Sequence, residues 1–252
     1  MRTGQAAIAI RVAAVFSFFL IWQLIADFKI ISSDFLAGPY QAILALLNRG
    51  VQNQILVNAH VTLYEIAVAY LIAVSIGIGI GLAIGVSRYF TTVFEPIVLA
   101  LFAVPKISLL PLFILWFGIG ISSKVVFGIF AGMFPVMVNT IAGAKQVNLA
   151  HIQLARSMGA SSIQIYRKVI LPSIIPTAFA GMRLSLILVS VTVTLAEMYQ
   201  GTVTGLGSLI FYWSTIFLSG PLYGVILVFS LVLIAANQAL LSVEKRLSRL
   251  SE

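Results

Sequence analysis

The chain has no cysteine and only two histidines, and Asp, Glu, Lys and Arg together make up 9% of its 252 residues. Each shortage excludes a class of chemistry. Without cysteine there is no disulfide, no thiolate metal site and no cysteine nucleophile. His60 and His151 are far apart, neither lies within an apolar span, and no carboxylate cluster accompanies them, so nucleophilic or metal-assisted hydrolysis has little to work with. No G-x-x-x-x-G-K-[ST] stretch occurs, so ATP hydrolysis is not expected of this chain. The period-2 alternation of a barrel strand is missing too.

What is abundant is apolar surface. With 61% hydrophobic residues and a mean hydropathy of +1.11, the chain is too apolar for a soluble domain of its size and reads as an integral membrane protein. Backbone in lipid must satisfy its own hydrogen bonds, so long apolar runs imply an all-α membrane fold. In this setting the net charge of +8 reads as topology rather than nucleic-acid binding.

Six transmembrane helices are expected in a single domain covering 1–252, at about 12–26, 63–86, 96–118, 124–142, 178–198 and 222–241. Arg2 and Arg11 before the first run suggest a signal peptide, but the run ends in Trp22, Asp27 and Lys29 without a small-residue cleavage pattern, which favours a retained span. The polar stretch from Asp27 to His60 reads as an extramembrane loop with an amphipathic piece from Gln41 to Leu47. Gly77, Gly81 and Gly85 share a helical face open to close approach. Pro105 and Pro111 interrupt the third span. Gln200 to Gly220, uncharged and rich in Gly, Thr and aromatics, suits a half-buried loop or re-entrant segment.

Eleven cations, among them Arg88, Lys145, Arg156, Arg183 and Arg249, fall on the side of the termini, against Lys29, Arg49 and Lys124 on the other. The positive-inside rule then makes both termini and the loop 145–176 cytoplasmic. Within that loop, Leu149, Ile152, Ala155 and Met158 recur at helical spacing. Gly159 permits a turn, Ser161 or Ser162 can cap a second short helix, Pro172 stops it, and Pro176 opens the fifth span. The expectation is a protruding elbow anchored by Ile152, Ala155, Val169 and Leu171 and presenting His151, Gln153, Arg156 and Ser157.

Lys106 and Glu197 are the ionisable residues expected in or near apolar spans, where charge is costly and faces a cavity or partner. Lys106 either faces a path favouring anions, pairs with Glu197, or snorkels to the interface. Glu197 belongs to an outer gate or has a packing role. Glu65 and Arg183 read as interfacial.

The elbow resembles the EAA motif of ABC importer permeases: Gln153-Leu154-Ala155, then Gly159, Val169 and Leu171-Pro172. Pro105-Lys106-Ile107, the run from Pro111 to Gly120, Asn139-Thr140, Gly181-Met182-Arg183, Ala196-Glu197-Met198 and Gly205-Leu206-Gly207 extend the likeness to the nitrate, sulfonate and taurine subfamily over about Asn58 to Leu241. The resemblance implies a type I importer fold whose elbow docks on a cytoplasmic ATPase subunit through His151, Gln153, Leu154, Ala155, Arg156, Ser157, Gly159, Ala160, Leu171 and Pro172. Gln153 stands where the motif has an acid, so an amide replaces the carboxylate there. The resemblance further implies a second permease subunit, as a homodimer, an extracytoplasmic solute-binding protein, ATP held by the partner ATPase with no cofactor on this chain, and a bacterial-type inner membrane. The implied cargo is a small anion, with a pyrimidine or thiamine-precursor solute as the alternative. A stand-alone secondary transporter would want an internal repeat and more intramembrane charges.

Overall fold

The computed structural model describes residues 2–201 and 204–248; Thr202, Val203 and Arg249 of the segments discussed above lie outside them. Eleven α-helices follow one another, with no strand among the described residues: α1 (Arg2–Asp27), α2 (Pro39–Leu46), α3 (Arg49–Gly85), α4 (Arg88–Ala103), α5 (Leu110–Phe117), α6 (Ile121–Lys145), α7 (Leu149–Ser157), α8 (Ser162–Ile165), α9 (Leu171–Tyr199), α10 (Leu206–Thr215) and α11 (Ser219–Ser248). A 3-10 turn at Lys106–Leu109 precedes α5, and a π turn at Tyr166–Ile170 precedes α9. Among the described residues, five helical runs are long and apolar enough to span a membrane, and a sixth span forms if α4 and the segment Lys106–Phe117, bent by 83°, count as one.

Several boundaries differ from the sequence reading. The second span begins at Arg49 rather than near residue 63, because nothing between Gly50 and Gly77 breaks a helix and Val51, Ile55 and Ala59 bury an apolar stripe. The polar residues once expected in a loop, Gln52, Asn58 and His60 among them, therefore ride on α3. Pro172 does not stop the elbow's second helix. Helical backbone runs from Ser162 to Tyr199, 38 residues, and the π turn just before α9 lets the chain pass a proline that has no N–H to give. The uncharged stretch after Gln200 folds largely as α10, where Leu206, Leu209 and Trp213 are buried at helical spacing.

The helices group into two compact units. The first comprises Met1–Val61 with Val203–Leu231. Its core is Ile55, Leu206, Leu209, Trp213 and Val225, with Leu46, Leu222 and Phe229 packed around it. Polar ties complete it: Trp22 Nε1 donates to Ala37 O (3.1 Å), Ser219 Oγ to Ser33 O (2.6 Å) and Gly205 N to Asn58 Oδ1 (2.7 Å). Along α1, Val12, Val15, Phe16 and Phe18 are all exposed, as lipid-facing side chains are.

The second unit, Thr62–Thr202 with Val232–Glu252, is built on α6. Gly77, Gly81 and Gly85 bring α3 onto one side of it, against Val136, Thr140 and Ala144. Gly128 and Gly132 admit Val189 and Val193 of α9 on another. Small residues give close backbone approach, which is what drives helices together where both water and a hydrophobic force are absent. A methyl group at Gly77 would lie 2.6 Å from Val136 Cβ and 2.8 Å from Met133 O, whereas one at Gly79 meets nothing within 4 Å. Gly77→Ala should therefore lower the thermal unfolding midpoint in detergent, by overpacking worth about 1–3 kcal/mol. Gly79→Ala should leave it unchanged or raise it. Equal midpoints for the two variants would contradict this packing.

Candidate functional site

The elbow is built from local signals. Asn148 caps α7, its side chain accepting from Ala150 N (2.9 Å). α7 ends in Gly159 at φ +79°, a conformation glycine adopts without strain, with Ala160 N returning to Ala155 O (3.0 Å). Ser161 and Gln164 then form a reciprocal capping box: Gln164 N donates to Ser161 Oγ (3.3 Å) and Ser161 N to Gln164 Oε1 (2.8 Å). The two short helices are thus fixed on either side of one glycine.

An apolar cluster roots the elbow in its own unit. Leu82, Val147, Ile165, Ile170 and Ile174 are buried there, with Ile152, Ala155, Ala160 and Val169 packed against them. Three of the expected anchors, Ile152, Ala155 and Val169, thus point inward. Leu171 is exposed, and Ile170 and Ile174 take its place because the π turn shifts the inward face by one residue. Pro172 is half-buried. His151, Gln153, Arg156, Ser157 and Gly159 are exposed. So are three apolar side chains: Leu149, Leu154 (61% exposed) and Met158 (79%). Of the four residues that recur at helical spacing, Leu149 and Met158 thus face outward and Ile152 and Ala155 inward. Between the short helices lies a hollow of about 370 Å³ bordered by Met158, Gly159, Gln164 and Lys168.

Lys106 sits at the bend between α4 and α5. Its Nζ donates to Phe102 O (2.6 Å) and lies 4.7 Å and 5.5 Å from the ring centres of Phe102 and Phe134. It is only half-buried and does not take part in the buried ion pair. Glu197 is fully buried and accepts from Thr62 Oγ1 (2.7 Å).

The sequence reading missed the charges closest to Glu197 in kind. Glu65 and Lys124 form an ion pair at 2.5 Å with essentially no exposure on either side chain, and Glu65 also contacts Glu197. Glu65 is not interfacial, and Lys124 is not a cation of the outer surface: the pair locks α3 to α6 inside the unit. Gln200 closes the same end, its Nε2 donating to Ser123 Oγ (2.8 Å) and its Oε1 accepting from Gly120 N (3.0 Å). Near the elbow, Lys145 pairs with Glu95 (2.9 Å), and Arg183, expected at an interface, pairs with Glu244. No group of three or more His, Asp or Glu side chains placed to hold a metal exists among the described residues.

A multispan helical bundle with a bent third span and a capped elbow before a long fifth helix is the architecture of an ABC importer permease. A chain of the MetNI methionine ABC transporter, solved in inward-facing conformations, has the same fold, with a TM-score of 0.69 over 79% of this chain and 99% of that one at 20% identity. The chain belongs to the family of binding-protein-dependent transport system inner membrane components, whose model matches residues 75–249. It is 32% identical over 195 residues to the taurine transport system permease protein TauC of Escherichia coli (strain K12), covering 75% of this chain and 70% of that protein. It is 28% identical over 190 residues to the putative aliphatic sulfonates transport permease protein SsuC of Bacillus subtilis (strain 168), covering 75% and 68%. To the nitrate import permease protein NrtB of Synechococcus elongatus it is 25% identical, over 73% and 68%. It is a transmembrane ABC transporter permease.

Proposed function

We propose that this permease carries a small anion inward and is driven by cytoplasmic ABC ATPase subunits that grip the elbow between Leu149 and Ile170. The elbow carries the reading. A loop that transmits force must be rigid, and this one is capped at both short helices and rooted in an apolar cluster. It must also offer a partner something to hold, and Leu154 and Met158 stand exposed one turn apart beside His151, Gln153 and Arg156. The excess of Lys and Arg at this end favours its placement in the cytoplasm, with both termini. A second copy of the chain completes the pathway, and an extracytoplasmic binding protein delivers the solute.

The anionic cargo is supported by the taurine, sulfonate and nitrate relatives and by Lys106, a cation placed where a spanning segment bends. An ammonium carries three donors, and Phe102 O occupies one. Reconstitution with a cognate ATPase and a screen of taurine, alkanesulfonates, nitrate and a formylaminopyrimidine for stimulated ATP hydrolysis tests the reading. Stimulation by the anions is expected; stimulation by the pyrimidine alone would overturn the anionic assignment. Lys106→Gln should reduce anion uptake severalfold while leaving the assembled complex intact. Unchanged uptake and unchanged anion preference would remove Lys106 from the pathway.

A further inference from the structure

A cavity of about 490 Å³ lies at the root of the elbow, wholly within the second unit. It is bounded by Gly85 at the end of α3 and the Val86 that follows, the first two turns of α4, the end of α6 and the first turn of α7. Its lining includes the apolar side chains of Val86, Val147, Leu149, Ile152 and Ile170 together with Arg88, Thr92 and the Glu95–Lys145 ion pair. Glu95 is matched by Lys145, whose Nζ reaches both of its oxygens (3.0 and 2.9 Å). Arg88 is exposed, and no described acid pairs with it. The cavity therefore holds one uncompensated guanidinium, and α4 and α7 both begin at its edge, adding the partial positive charge of helix N-termini.

We infer that this cavity holds the headgroup of an anionic phospholipid from the cytoplasmic leaflet. The inference rests on the reading that this end of the bundle is cytoplasmic. The cavity sits where α3 and α6 end and α4 begins, and a span that ends on the cytoplasmic side ends at headgroup level. Its lining pairs a forked cationic donor with apolar side chains, which suits a phosphodiester with its glycerol and first acyl carbons. A free oxyanion would use Arg88 but gain nothing from Val147, Ile152 or Ile170. Because Lys145 ends α6 and Ile152 belongs to α7, an occupied cavity braces the elbow against the bundle, and lipid composition sets how stiffly the permease answers its ATPase.

The test uses the full permease–ATPase complex in phosphatidylcholine nanodiscs with and without phosphatidylglycerol, with retained lipid counted by native mass spectrometry. Wild type should retain phosphatidylglycerol, and Arg88→Gln should weaken retention about fivefold, the effect of one cation at a lipid surface. Arg88→Lys should recover part of it, and Arg246→Gln, an exposed cation elsewhere, should change it less than twofold. Stimulated ATPase activity should rise with phosphatidylglycerol in wild type and not in Arg88→Gln. Equal retention by wild type and Arg88→Gln would overturn the inference, as would displacement of the lipid by inorganic phosphate. If the permease and ATPase fail to associate in either lipid, the proposed function fails instead.

Discussion

Replacing Leu154 and Met158 together by glutamate should abolish copurification with the ATPase and reduce ATP-driven uptake to background, with the permease still folded and membrane-inserted. Both side chains are exposed, so the substitutions cost the isolated chain little. In a docked complex they would be buried against a partner, where central apolar anchors are worth about 2 kcal/mol or more each, roughly thirtyfold in affinity apiece. Replacing them by carboxylates also leaves buried charge without a partner. Gln153→Glu, which restores the acid usual at that position, should keep or strengthen association, since the contact then gains a charge-assisted hydrogen bond. Pull-down of the ATPase and a proteoliposome uptake assay read both effects. Normal association by the double glutamate variant would place the docking surface elsewhere.

The second large effect concerns the interior. Lys124→Met should destabilise the second unit by about 3–5 kcal/mol, because Glu65 would be left as a fully buried charge beside Glu197. Expression in the membrane and the unfolding midpoint in detergent should both drop sharply. Lys124→Met combined with Glu65→Gln should recover most of the loss, since the orphaned charge is gone. No recovery in the double variant would mean that Lys124 serves something other than the pair.

Much of the elbow was legible because its signals are local. Gly159 as the turn and Ser161 as a cap act within a few residues and were read from their neighbours, whereas the Asn148 cap and the Gln164 half of the capping box, equally local, came only with the structure. The glycine face of α3 was equally plain, since a repeat of Gly77, Gly81 and Gly85 has few other physical uses. What stayed hidden depends on partners far along the chain. Lys124 stands near the head of an apolar run and looks like an interface cation until Glu65, 59 positions earlier, is found against it. Pro172 looks like a helix stop, and only the π turn before it reveals how the helix continues. Leu171 and Ile170 are both apolar, and the register of that turn decides which faces the core. The start of α3 was misread for the opposite reason: its polar residues suggested a loop, while Val51, Ile55 and Ala59 supplied the buried stripe.

The most direct test of the account is uptake into proteoliposomes containing the permease alone, the permease with its ATPase, and the Leu154→Glu/Met158→Glu permease with the same ATPase, each supplied with binding protein and a labelled sulfonate. ATP-dependent uptake by the second preparation only is the predicted result. Uptake by the permease alone without ATP, or undiminished uptake by the variant, would contradict the claim that an ATPase drives this chain through its elbow.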